Sequence, residues 1–332
     1  MLATIFEQTG NPPEVVRLVE RDRPKPARGE VLVRMLASPI NPSDLLYIQG
    51  NYGLKPRLPA TPGFEGVGVV EACGGGPLSR WLRGCRVVVL NERTGNWQEY
   101  VTVPARRVVP VPNSISDEQA AMFFVNPATA LVMVRSVLKV PRGAWLLQNA
   151  AASALGQMVI KLGRVYGFRT INVVRRPEAV STLKALGADA VICETTEDVH
   201  AAVTRLTDGQ MVRYALDPVG GASGSAIIRC LGEGGHALVY GLLSGEPISV
   251  DPRFLITGSK RVEGFWLADW AGHAGLLRLL GLMRQIRKLI ERGILNSPLA
   301  ASYPLSQIEQ ALRHAMQPGR DGKIILRIGQ PG

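Results

Sequence analysis

Two stretches of this sequence place reactive residue types where chemistry needs them. The first is PINPSDLLYIQGNYG, residues 39–53, which sets Tyr52 between Asn51 and Gly53. Those neighbours are turn formers, so Tyr52 belongs on a loop tip. A tyrosine there packs poorly as core, and its hydroxyl projects toward whatever the loop faces. The other reading of Tyr52 is an ordinary aromatic on a surface turn. The second stretch is WLLQNAAASALGQMVIKLG, residues 145–163. It reads as strand, tight small-residue turn and helix, a geometry that lets the backbone approach a pyrophosphate at a helix N-terminus. The glycine fingerprint of such turns is largely replaced by Ala and Ser, and only Gly156 remains. An ordinary strand-to-helix turn reads the same way.

The next strand adds a chemical signal. Arg175 and Arg176 follow Val174, nineteen residues beyond Gly156. NAD enzymes place Asp or Glu near this position to hold the ribose 2′-hydroxyl. Two guanidiniums bind a 2′-phosphate instead, with charge-assisted bidentate bonds. The pair favours NADPH over NADH. The alternative is two solvated loop arginines.

The elements that must position these residues fall into two textures. Residues 1 to about 118 read as mostly β. Short runs such as 31–36, 66–70, 86–90 and 100–103 are separated by Gly, Pro and Asn. Only 42–49 looks helical there, with Asn41 as cap and Pro42 in the first turn. From about 120, strand and helix patterns alternate. Candidate strands at 145–147, 170–174, 190–192, 214–216, 236–240 and 261–265 are separated mostly by helices, with turns at DPVGG and GEGG. Six strands with crossover helices make a doubly wound parallel sheet. A long helix follows at about 274–291. Its Leu276, Leu279, Leu280, Met283, Ile286 and Ile290 fall at helical spacing, and core against solvent is the reading. A helix at 306–316 and a strand at 323–327 end the pattern.

The totals agree with two domains. The chain has 332 residues, of which 46% are hydrophobic and 20% charged, an ordinary globular balance. Cys73, Cys85, Cys193 and Cys230 are scattered without Cys-x-x-Cys spacing. That suggests neither a zinc cage nor a disulfide framework and fits a reducing cytoplasm. With the first strand read from Leu2, no signal or transit peptide is expected, and polar residues interrupt the apolar window 144–163, so no membrane span is expected. The net charge of +11 favours anionic partners. With no zinc finger, aromatic RNA motif or long basic run, phosphate-bearing small molecules fit better than nucleic acid.

These pieces match in one direction. On SPINPSDLLYIQGNYG, LPATPGFEGVG, FFVNPATA, LQNAAASALGQ, RTINVVRRP and VEGFWLADW, which span nearly the whole chain, the sequence resembles the medium-chain dehydrogenase/reductase superfamily. Within it, the sequence is most similar to the mitochondrial-type trans-2-enoyl-thioester reductases. The resemblance implies a GroES-like β-barrel domain, residues 1–120 and 262–332, with an inserted Rossmann NADPH-binding domain, residues 121–261. It implies a cleft for nicotinamide and substrate, and a homodimer that pairs Rossmann sheet edges. Zinc relatives carry Gly-His-Glu where this chain has Gly63, Phe64 and Glu65, and a cysteine near Asn41. Both ligands and the structural four-cysteine lobe are missing, so no metal is expected.

The resemblance also assigns roles. Tyr52 would sit beside the nicotinamide. As hydride adds to the β-carbon of an enoyl thioester, negative charge develops on the thioester oxygen and the α-carbon. A phenol with a reference pKa near 10 can hydrogen-bond that enolate and supply the α-proton. Asn126 would lie near the nicotinamide ribose, or simply cap a helix before Pro127. Ala152, Ser153, Ala154 and Leu155 would wrap the pyrophosphate. Tyr240, Gly241, Leu242 and Leu243 would line the nicotinamide side, and Phe265, Trp266 and Leu267 would border the same pocket. Asn41, Phe64 and Trp266 are candidates for the substrate pocket. Lys323 matches a lysine that reaches the cofactor; the alternative is a solvated charge on an edge strand. Two departures stand out. Ala154 replaces a family glycine, and the family's Arg-Asp-Arg loop is here Arg175-Arg176. A quinone or enone reductase of the same fold, and a non-enzymatic NADPH-binding relative, are the competing readings.

Overall fold

The computed structural model describes residues 1–329. The chain divides into two compact units, Met1–Val125 with Asn296–Gly332, and Asn126–Leu295.

The first unit is organised by its longest strand. Its strands are β1 (Leu2–Ile5), β2 (Arg17–Glu20), β3 (Glu30–Ile40), β4 (Glu65–Cys73), β5 (Arg86–Leu90), β6 (Tyr100–Pro104) and β7 (Val108–Pro110). In β3, apolar side chains are buried on both faces, as expected of a strand covered on both sides. β4 pairs antiparallel along one edge of β3, while β6 takes the first half of the other edge. The second half of that edge belongs to a strand from the end of the chain. In the second unit, β8 (Trp145–Gln148), β9 (Arg169–Val174), β10 (Ala190–Cys193), β11 (Val212–Asp217), β12 (Leu231–Val239) and β13 (Arg261–Gly264) precede the return to β14 (Leu299–Pro304) and β15 (Lys323–Arg327). The seven-stranded sheet runs β14-β15-β3-β4-β5-β7, with β6 on β3. Phe6, Met35, Ile48, Trp97, Leu312 and Ile324 lie in its core.

The second unit is a six-stranded sheet in the order β10-β9-β8-β11-β12-β13, parallel at every pairing. The order reverses beside β8, the switch point at which such sheets bind ligands outside their carboxyl ends. The helix Ala154–Tyr166 buries Leu155, Met158, Val159 and Leu162 and ends on Gly167 in the left-handed region, φ 79°. Among the described residues no helix is long and apolar enough to cross a membrane.

Several expectations are corrected. The GEGG segment, expected as a turn, lies inside β12, where the pairing with β11 shifts register between Val212 and Tyr214. The glycines form an irregularity in a strand rather than its end. The boundary drawn at residue 262 falls at 295/296 instead. β13 is hydrogen-bonded along β12, from His236 opposite Arg261 to Val239 opposite Gly264, so it is part of the inserted sheet. The other boundary, drawn at 120/121, falls at 125/126. The helix Leu276–Glu291 buries Leu282, Ile286, Leu289 and Ile290. Leu276 and Leu280, read as core from periodicity, are 71% and 53% exposed. β14 and the helices Asp117–Ala121 and Leu267–His273 were not legible as elements.

Candidate functional site

In the first unit, strand register places a buried polar cluster. Ile324 stands opposite Ile40, so Lys323 heads β15 beside Asn41, the residue that follows β3. Val67 stands opposite Ala37, so Glu65 heads β4 at the same end of the sheet. The helix Pro42–Ile48 begins there and adds Asp44. Asn41, Asp44, Glu65 and Lys323 are 1%, 0%, 1% and 4% exposed.

Ion and dipole are matched within this cluster. Lys323 Nζ donates to Asn41 Oδ1, and Asn41 Nδ2 donates to Glu65 Oε1 at 3.0 Å. Glu65 Oε2 accepts the N–H of Phe124 at 3.1 Å and of Val125 at 2.8 Å. Those amides lie at the start of the helix Val125–Val132, so a carboxylate from another strand satisfies donors that the helix itself leaves open. Asp44 accepts the Asn41 N–H at 2.8 Å and the Phe64 N–H at 3.0 Å. Burial pushes the Asp44 carboxyl up to about 7, against the pull of those two N–H donors. Burial likewise raises Glu65, and it lowers the Lys323 ammonium to about 8 despite both carboxylates.

Lys323 is therefore not a solvated edge charge: β15 lies between β14 and β3, and its ammonium is turned onto Asn41. Asn41's side chain engages Glu65 and Lys323, while Asp44 supplies the return bond of the helix cap. Among the described residues no group of three His, Cys, Asp or Glu side chains could hold a metal ion. Phe64 has no donor atom, and Asn41's amide is bonded to its neighbours. These residues do not fit a zinc ion.

Tyr52 is half-buried, and its ring lies 5.3 Å from that of Phe64, tilted by 32°. It packs against the core of the first unit. The expectation that a tyrosine on this loop packs poorly is corrected; the aromatic neighbour arrives from residue 64, which local sequence does not reveal.

In the second unit the sequence-predicted cofactor residues gather at the carboxyl ends of the parallel strands. After β8 the chain turns through Ala150, at φ 44°. Ser153 caps the helix, its Oγ accepting the Gly156 N–H at 3.1 Å. A Cβ on Gly156 would lie 2.6 Å from the Ala151 carbonyl oxygen, so only glycine lets helix and turn pack this closely. Ala152, Ser153 and Ala154 are half-buried. Leu155 is 8% exposed, and its side chain belongs to the interior, leaving only its backbone to face a ligand. Arg175 and Arg176 are exposed directly after β9, beside β8.

Tyr240 to Leu243 follow β12. Tyr240 N–H donates to Asp217 O at 2.9 Å and Leu243 N–H to Pro218 O at 3.0 Å. Burial, and then the Asp217 carboxylate, hold the Tyr240 hydroxyl above its ordinary value. A Cβ on Gly241 would meet the Pro218 carbonyl at 2.6 Å. Leu242 and Leu243 are exposed. Phe265, Trp266 and Leu267 follow β13. Phe265 and Trp266 line a hollow of about 300 Å³ with Trp270 and Arg278. Asn126 is half-buried and sits within the first turn of its helix rather than capping it.

Two residues of this region were missed. Asn149 Nδ2 donates to Asp217 Oδ1 at 2.7 Å and to Ser223 Oγ at 3.1 Å. Asp217 also accepts the Val219 and Gly220 N–H groups. The pair ties the ends of β8 and β11 together. Asn149 Oδ1 is buried with no hydrogen-bond partner among the described residues. The signal was a polar residue closing each strand, in LLQN and ALDP. The helix N-terminus, the close-packed Gly156 turn and the arginine pair together fit a phosphorylated nicotinamide dinucleotide.

Comparison with known proteins agrees with this layout. Residues 27–113 match the alcohol dehydrogenase GroES-like domain, and residues 154–281 match the zinc-binding dehydrogenase family. The mitochondrial enoyl-[acyl-carrier-protein] reductase of Mus musculus is 36% identical over 98% of this chain and 88% of its own length. The Escherichia coli quinone oxidoreductase complexed with NADPH superposes with a TM-score of 0.90 at 26% identity, over 98% of this chain and 100% of that one. The Etr1p structure with NADP and crotonyl-CoA superposes with a TM-score of 0.84 at 28% identity, over 98% of this chain and 99% of that one.

Proposed function

The chain belongs to the medium-chain dehydrogenase/reductase superfamily, with the mitochondrial enoyl reductases among its relatives, and from that premise we propose that it reduces the C=C bond of a 2-enoyl thioester with NADPH. Support for the thioester comes from the enoyl reductase relatives and from the crotonyl-CoA and NADP of the Etr1p complex. Support for NADPH comes from the E. coli complex and from Arg175 and Arg176. When bound, NADPH supplies a hydride to the substrate's β-carbon.

The chain's own residues do the rest in this reading. Backbone groups of Ala152, Ser153, Ala154 and Leu155 hold the pyrophosphate at the helix N-terminus, and Arg175 and Arg176 hold the 2′-phosphate. Asn149 and Asp217 keep the turn in place. Asn126, Tyr240, Gly241, Leu242, Leu243, Phe265 and Leu267 serve the nicotinamide side, and Trp266 serves the acyl chain. Lys323 acts through Asn41 rather than on the cofactor directly. Tyr52 donates a hydrogen bond to the developing enolate oxygen and then a proton to the α-carbon. The observation that carries the reading is Tyr52, a phenol whose ring packs on Phe64, in a unit whose Asn41, Glu65 and Lys323 cluster does not fit zinc. A protein acid takes the part a Lewis acid would otherwise play.

The reading extends to a homodimer formed through the outer edge of β13, whose backbone ends the six-stranded sheet, and light scattering on the purified protein tests it. The four cysteines are free thiols, which fits a reducing compartment such as the cytoplasm.

A second reading, NADPH-dependent quinone or enone reduction, is favoured by the likeness to the E. coli quinone oxidoreductase. NADPH oxidation is followed with crotonyl-CoA, a longer 2-enoyl-CoA and a simple quinone, for wild type and Tyr52→Phe. Thioester turnover that falls on the order of 100-fold in the variant supports the first reading. Turnover of the quinone alone, equal in both proteins, supports the second.

A further inference from the structure

We propose that Phe64 is a positioning residue for Tyr52, and that Asp44 and Tyr47 hold Phe64 in place for that purpose; the inference rests on the reading of Tyr52 as the proton donor. Tyr52 lies outside regular secondary structure, on the segment that follows Gly50 at φ +75°. A general acid on a loop must be held in one place to act in the transition state. One contact that holds it is the Phe64 ring at 5.3 Å, alongside its packing on the core of the first unit.

Phe64 is itself fixed at several points. Its N–H donates to Asp44 Oδ1 at 3.0 Å, and its carbonyl accepts the Asn91 N–H at 2.9 Å. Its ring meets Tyr47 edge-on at 5.3 Å and 64°. Asp44 and Tyr47 are three residues apart on the helix Pro42–Ile48, so one helical face grips both the backbone and the ring. Tyr47 in turn meets Phe6 edge-on at 5.6 Å and 84°, and Phe6 is fully buried. The series Phe6, Tyr47, Phe64, Tyr52 thus runs from the core to the loop. Each contact has the edge-on or tilted geometry that aromatic quadrupoles favour. Asp44 is the polar counterpart of this series. Its two carboxyl oxygens join the start of the helix, at Asn41, to Phe64.

The test is a cycle of variants assayed as NADPH-loaded enzyme with crotonyl-CoA. Phe64→Leu keeps apolar bulk and removes the face. The expected result is a kcat lower by roughly tenfold, with NADPH affinity and thermal midpoint close to wild type. Phe64→Tyr, which keeps the ring, restores kcat. In a Tyr52→Phe background, Phe64→Leu changes kcat by less than about twofold, because both changes act through the same hydroxyl. Phe64→Met is read in parallel, so that poor folding of one variant leaves a second measurement. If Tyr52→Phe lowers kcat but the effect of Phe64→Leu is absent or adds in full to it, the positioning role is wrong and the reading of Tyr52 survives. If Tyr52→Phe turns over as wild type, the reading of Tyr52 fails and this inference fails with it.

Discussion

Lys323 and Asn41 are 282 positions apart in the chain, and the lysine ammonium donates to the asparagine carbonyl in the interior of the first unit. That bond places a cation beside two buried carboxylates, Asp44 and Glu65, both of which act on its charge. Removing the cation leaves both acids uncompensated. Lys323→Met is expected to lower unfolding stability by about 3–5 kcal/mol, read by urea denaturation. Adding Glu65→Gln should recover part of that loss, because one of the unpaired acids is then neutral.

Asp44 gives stability a pH dependence of definite sign. Its folded value, about 7, lies above the reference 3.8. Its contribution is complete below the reference value and is lost as pH rises through the folded one. Lys323, lowered to about 8 from 10.5, acts in the opposite sense and at higher pH: its contribution is complete above 10.5 and is lost as pH falls through about 8. Glu65, also raised by burial, acts in the same sense as Asp44, so between 3.8 and about 7 the Asp44 part is read as the difference between wild type and Asp44→Asn. The thermal midpoint of Asp44→Asn, measured across that window, should gain on wild type as pH rises. A constant difference would place the titration elsewhere.

Arg175 and Arg176 are exposed at the carboxyl end of β9, where a 2′-phosphate would distinguish NADPH from NADH. Replacing both by Ala should weaken NADPH by roughly ten- to hundredfold, the scale of lost charge-assisted hydrogen bonds, and leave NADH unchanged. Fluorescence titration with each cofactor reads the difference. Equal weakening of both cofactors would mark the arginines as general surface charge.

Gly156 has a backbone carbonyl where a side chain would begin. Gly156→Ala forces the helix Ala154–Tyr166 away from the Ala151 turn. It should cost about 1–3 kcal/mol of stability and weaken NADPH by roughly tenfold, since displaced helix N–H groups no longer meet the phosphates. Calorimetry and the same titration check both parts. Retained affinity alongside lost stability would show that the turn does not hold the pyrophosphate.

The sequence by itself determined what depends on near neighbours. Alternating strand and helix periods announced the parallel sheet, small residues after Leu147 announced a tight turn, and Arg175 and Arg176 at a strand end announced their exposure. Each follows from backbone propensity and side-chain period within a short window. Tertiary structure decided what depends on register across the chain. The pairing of β15 with β3, and of β3 with β4, brings Lys323, Asn41 and Glu65 to one end of one sheet. It makes Lys323, which the sequence left as a cofactor contact or a solvated edge charge, a buried partner of Asn41. Phe64 meets Tyr52 because β4 begins beside the helix Pro42–Ile48. Leu276 and Leu280 have helical spacing and remain exposed. Periodicity shows that a helix has an apolar face, whereas the neighbours that would cover that face are fixed only when distant segments pack.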